Sequence, residues 1–137
     1  MRELHGQACA LAAFPPQANH SGGPFQSKVH TPSAVVCGDW NFVQGSAEYL
    51  ALQAAASISQ PDVAPAATPP LRDAWALQHG DVPHPPTFCL FDRRYGPEPT
   101  TSDFVFVSAD LRPRLRRVEV NLSSKASDHQ PILLELV

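Results

Sequence analysis

Hydrophobic and polar residues fall into blocks whose spacing changes along the chain, and the spacing predicts the elements. Arg2 to Phe14 reads as a helix with Leu4, Ala8, Leu11 and Ala12 as an apolar stripe, stopped by Pro15-Pro16. Ala34-Val35-Val36-Cys37 predicts a strand running into Gly38, Asp39, Trp40 and Asn41. Ser46 to Ala56 predicts a second helix: Ser46 suits the N-cap, Glu48 the first turn, and Tyr49, Leu52 and Ala56 face the sheet. Leu71 to Leu77 predicts a short helix turning Leu71 and Trp75 inward, and Thr87 to Phe91 a strand. Asp103 to Ser108 is apolar on both faces, which predicts a central strand covered on both sides. Arg114 to Leu122 predicts an edge strand kept soluble by arginines, and Ile132 to Val137 a last strand. The 15 prolines gather in the connections, above all between 60 and 70, and predict long irregular loops.

Chemistry concentrates where the first strand ends. Side chains alternate along a strand with period two, so Asp39 and Asn41 are expected on the same side of its end. Gly38 allows a sharp turn and close approach of a ligand. A carboxylate beside a carboxamide can hold a metal-bound water or a phosphate oxygen. The same two residues also make an ordinary Asp/Asn turn.

Two later stretches extend this pattern. Thr101-Ser102-Asp103-Phe104-Val105-Phe106-Val107-Ser108 opens a strand with an Asp, and Ser127-Asp128-His129-Gln130-Pro131 precedes the last strand. In order and spacing, Gly-Asp-Trp-Asn, Asp-Phe-Val-Phe-Val-Ser and Ser-Asp-His-Gln-Pro together resemble the endonuclease/exonuclease/phosphatase superfamily, in its C-terminal half only. The resemblance implies an α/β fold that is half of a four-layer α/β/β/α sandwich, mainly one mixed β-sheet with flanking helices, with residues 1–137 forming a single truncated domain.

By the same resemblance, Asp39 orients or deprotonates a water, and Asn41 supports it and bonds the phosphate. Asp103 pairs with His129, His129 grips the substrate phosphate, and Asp128 sits at a Mg²⁺ or Mn²⁺ ion. The implied activity is metal-dependent hydrolysis of a phosphodiester or phosphomonoester in a nucleic acid, a phospholipid or a phosphoinositide. Arg2 and Gln7 look like the remnant of the family's helix before the Gly-Asp-x-Asn strand, and Thr101 stands where the family often has an Arg. The family's metal-binding Glu belongs to the N-terminal half, so impaired activity is expected, with a start at an internal Met1.

Such a half-domain would leave the apolar face of Phe104 to Val107 uncovered, an area on the order of several hundred Å². A second copy of the chain or the missing half is the expected cover. A catalytically silent module binding a partner through that face is the alternative reading.

Composition narrows the remaining choices. The 137 residues are 43% hydrophobic and 17% charged, a balance that builds a core. A formal charge of −3 argues against a nucleic-acid binder without catalysis. The basic turn Arg93-Arg94-Tyr95-Gly96 either borders a phosphate or is simply solvated, and the same choice holds for Arg112, Arg114, Arg116 and Arg117. His20, His30, His79 and His84 lie in Gly/Pro-rich stretches and are expected at the surface. Cys9, Cys37 and Cys89 are an odd number without metal-type spacing. Cys37 and Cys89 are expected as small core residues, which suits a reducing compartment such as the cytoplasm. No membrane span or leader is visible in the pattern.

Overall fold

In the computed structural model, which describes residues 2–12, 31–54 and 69–137, both hydrophobic clusters are built on the strand that begins at Asp103. In chain order the elements are α1 (Arg2–Ala12), β1 (Val35–Asp39), α2 (Ala47–Gln53), β2 (Leu71–Asp73), α3 (Ala74–His79), β3 (Asp103–Ser108), β4 (Leu115–Val120) and β5 (Ile132–Leu136). A 3-10 helix, Ala109–Arg114, joins β3 to β4. The fold is mixed α/β with small antiparallel sheets. Instead of one mixed sheet, the described strands form a three-stranded sheet, β1-β3-β2, and a two-stranded sheet, β4-β5.

β3 is central because each of its faces has a partner. Phe104 and Phe106 are fully buried against Tyr49 and Leu52 of α2 and Leu71 of β2, with Trp40 and Phe42 closing the cluster. Their rings meet edge-on or tilted, as Trp40 and Phe106 do at 5.4 Å between centroids. On the opposite face Val105 and Val107 pack on Ala74, Leu111 and Val118, backed by Ile132, Leu134 and Leu136 of β5. The β4-β5 hairpin and α3 therefore cover the face that was expected to stand open. What remains open is β1, the edge of its sheet, where Val35 and Cys37 are exposed. Cys37 is thus a surface residue and not a core one, because no element packs over β1 on that side among the described residues. Cys89 is buried as expected.

α2 starts where its cap chemistry places it: the Ser46 hydroxyl accepts from the Tyr49 N–H, and Tyr49 and Leu52 turn inward. The stretch from Leu71 divides differently from its prediction. Leu71 to Asp73 extends as a strand on β3, paired to Ser108, Val107 and Phe106, and the helix begins only after Asp73. Asp73 is the reason: its buried carboxylate caps α3 by accepting from the Trp75 N–H, and its other oxygen accepts from the Tyr49 hydroxyl at 2.7 Å. Burial, and then this bond, push the Tyr49 hydroxyl up to about 12.

α1 turns His5 and Cys9 inward toward the Pro32 carbonyl and leaves Leu4, the first residue of the predicted stripe, exposed; the side chains of Leu11 and Ala12 lie outside what is described. The predicted end of that helix at Phe14, the histidines His20 and His30, and Ala56 lie outside the described residues. No described helix is long and apolar enough to cross a membrane.

Candidate active site

Antiparallel pairing of β1 with β3 sets the last residue of one against the first of the other, so Asp39 stands directly opposite Asp103. Opposed side chains in such a pair lie roughly 5 Å apart at Cβ, and like charges there repel. Two carboxylates in this register destabilise the pair unless a neighbouring group offsets them. His129 answers them. Its Nδ1 donates to Asp103 Oδ2 at 2.9 Å across a separation of 26 residues, and Ser102 Oγ donates to the same oxygen at 3.2 Å.

With Nδ1 committed to Asp103, Nε2 is the ring atom able to present a proton to a ligand. The imidazole is one-third exposed, so solvent and solutes reach it. The Asp103 bond raises the His129 pKa above its ordinary value; partial burial opposes this, and the charges of Asp103, Asp39 and Asp128 add to it. His129 is therefore held toward the cationic form. Phe88 lies against its ring at 4.7 Å between centroids.

Two further predicted residues fall at the same end of the sheet with different standing. Asp128 precedes His129, accepts from Ser127 Oγ at 3.1 Å, and acts on His129 through its charge. Asn41 departs from its expected position. The chain turns there with φ 51°, and the Asn41 N–H donates to Asp39 Oδ1 at 3.0 Å. The Asp/Asn turn wins over strand alternation because that short bond closes locally, and among the described residues no hydrogen bond carries the Asn41 carboxamide to His129 or Asp103. Gly38 takes φ 151°, a region that side chains resist, and no atom lies within 4 Å of where its Cβ would be. The approach to Asp39 is open.

Thr87 was missed in the sequence as a site residue and stands at the centre of the support. It is fully buried, and its hydroxyl oxygen accepts from the Asp103 N–H at 3.0 Å and the Ser102 N–H at 3.1 Å. The predicted strand Thr87 to Phe91 does not form, because Cys89 turns into the left-handed region with φ 55°. Only Phe88 keeps ladder contacts, to Thr100 and to His129. The segment instead clips two loops together: the Thr87 carbonyl accepts from the Gln130 N–H, and the Cys89 N–H donates to the Asp128 carbonyl. With its amide turned so that nitrogen faces acceptors, buried Gln130 donates to the carbonyls of Asn121 and Ser124.

The basic groups lie to one side. Arg94 forks onto Asp92 and Arg93 bonds the Pro97 carbonyl, so the turn largely pairs with itself, although Asp128 contributes to the Arg94 field. Arg116 and Arg117 pair with Glu135 and Glu119. The ladder places Val120 beside Ile132 and Leu115 beside Leu136, so Arg112 to Arg117 start at the end of β4 remote from the 128–130 loop. Thr101 donates to the carbonyls of His84 and Pro85 and acts as a strut. His84 corrects its surface prediction: it is buried between Trp75 and Phe104.

Compared with known proteins, the chain matches no family model and no curated protein.

Proposed function

We propose that Asp39, Asp103, Asp128 and His129 are the C-terminal portion of a phosphate-ester hydrolysing site of the endonuclease/exonuclease/phosphatase kind. The observation that carries this reading is the 2.9 Å bond from His129 to Asp103, set opposite Asp39. It joins three sequence motifs that have no local reason to meet. On this reading the two sheets, in contact through the Val105, Val107 and Val118 face, belong to a four-layer α/β/β/α sandwich with α2 as an outer layer.

The chemistry of the chain's own residues is binding and orientation. A cationic His129 forms a charge-assisted hydrogen bond to a phosphoryl oxygen through Nε2. Asp103 holds the ring's tautomer and angle, and Asp39, facing open solvent beside it, is placed to orient a water on the phosphorus. A divalent cation would supply charge neutralisation and assist the leaving oxygen. Mg²⁺ takes about six oxygens and usually keeps several waters, so one or two carboxylates with the substrate phosphate are enough to place it. Asp128 would be such a ligand; no group of three or more His, Cys, Asp or Glu is arranged around a common point among the described residues.

The test is hydrolysis of a chromogenic phosphodiester by the purified chain with Mg²⁺ or Mn²⁺, with chelator, and with His129→Ala. Metal-dependent turnover that disappears in the variant is expected. Folded protein without any turnover, or turnover indifferent to His129, would overturn the reading.

A further inference from the structure

We infer that Thr87 is the positioning residue of the Asp103–His129 pair: its hydroxyl fixes the backbone that carries the carboxylate, and its carbonyl fixes the loop that carries the imidazole. The inference rests on the functional reading of that pair, but its geometry stands apart from any activity. A hydroxyl oxygen has two acceptor lone pairs. Thr87 uses them on the N–H groups of Ser102 and Asp103, the two residues at which the chain enters β3. Its carbonyl takes the N–H of Gln130, next to His129. Its own N–H and that of Phe88 both donate to the Thr100 carbonyl, which holds the segment itself in place.

The side-chain and main-chain contacts together span both halves of the dyad. Asp103 and His129 stand at 2.9 Å, and every described hydrogen bond of Thr87 goes to the backbone around them and none to either side chain. The residue type follows from the position. The site is fully buried, so an unmet pair of backbone donors would be costly, and only an oxygen at Cβ can serve both. The Thr87 methyl group fills the space that a serine would leave. Valine has the same shape and no acceptor, which makes the contribution of the oxygen separable from packing.

The experiment is NMR of the full chain at one fixed pH, without substrate, for wild type, Thr87→Val and Thr87→Ser, following the low-field Nδ1 proton of His129 and the solvent exchange of the Ser102, Asp103 and Gln130 amides. In wild type the Nδ1 proton should be sharp and the three amides protected. In Thr87→Val the Nδ1 proton should broaden or vanish and the Ser102 and Asp103 amides should exchange faster. Thr87→Ser should restore both. If the valine variant does not fold, Thr87→Cys carries the same test, since sulfur fills the site and accepts poorly; its Nδ1 signal and amide exchange should lie between those of valine and serine. A folded Thr87→Val or Thr87→Cys protein whose Nδ1 proton and amide exchange match wild type overturns the inference. If the spectra respond as expected while the chain shows no phosphodiester turnover, the positioning role stands and the hydrolytic reading falls.

Discussion

His84 and His129 both sit in loops, within reach of the same central strand, and their surroundings drive them in opposite directions. His84 is packed between Trp75 and Phe104 with Nδ1 at the Pro85 carbonyl. Burial lowers its pKa; the Pro85 bond and the charges of Asp73 and Asp103 raise it, His79 lowers it, and burial prevails. His129 has a carboxylate on Nδ1, two more acting on it, and a solvent-reachable ring, and it is held toward the cation. The difference teaches that a histidine's role is decided by what stands on its ring nitrogens and over its faces. An aromatic slot makes it a core residue, while an acid pair at a strand end holds it toward the cation and leaves it open to solvent.

The comparison can be broken most severely by removing His129. His129→Ala should lower phosphodiester turnover by about 10²- to 10⁴-fold, the range for a positioned proton-bearing group. Its unfolding free energy should change by less than about 1 kcal/mol, as for other partly exposed ion pairs. Steady-state kinetics beside a denaturant curve would separate the two effects. His84→Ala should do the reverse. Truncating a buried ring is expected to cost about 2–4 kcal/mol, with activity per folded molecule changed only a few-fold. Tyr49→Phe extends the contrast to the other buried acid. It leaves Asp73 Oδ2 without the Tyr49 hydroxyl and should cost roughly 1–2 kcal/mol in the same denaturant assay, with no effect on the His129 titration.

The smallest expected effect is on the pH dependence of stability. A raised His129 pKa gives stabilisation that is fully present below 6.5 and is lost as pH rises through the folded value. A lowered His84 pKa acts on the other side: the unfolded chain takes up the proton first, so stability falls as pH drops from 6.5 through the folded value. These two residues together place a maximum near 6.5. Denaturant midpoints across that range should lose their alkaline slope in His129→Gln and their acid slope in His84→Gln.

Much of this could be read from the chain because the signals were local or strongly periodic. Asp103 to Ser108 is apolar at every interior position and is the central strand with the predicted ends. Ser46, Tyr49 and Leu52 follow cap and face rules that act within one helix. The pairing of Asp103 with His129, expected from resemblance to a known family, is present in the geometry. What could not be read depended on contacts between distant segments. Leu71 to Asp73 is too short to announce itself as a strand and is one because β3 offers it an edge. The apolar run Thr87 to Phe91 reads as a strand, but apart from Phe88 the segment bonds to two loops rather than to a ladder. His84 is buried by Trp75 and Phe104, and no spacing rule links these three. At Asn41, of the two local readings the turn prevails over the alternation, because its N–H bonds the neighbouring Asp39 carboxylate.

The most direct measurement follows both histidine rings by NMR while dimethyl phosphate is added in the presence of Mg²⁺. Binding at the dyad should shift the His129 resonances saturably and raise the pH at which that ring titrates, while His84 stays unmoved. Equal movement of both rings, or of neither in a folded protein, would contradict the assignment of a phosphate-ester site to Asp39, Asp103 and His129.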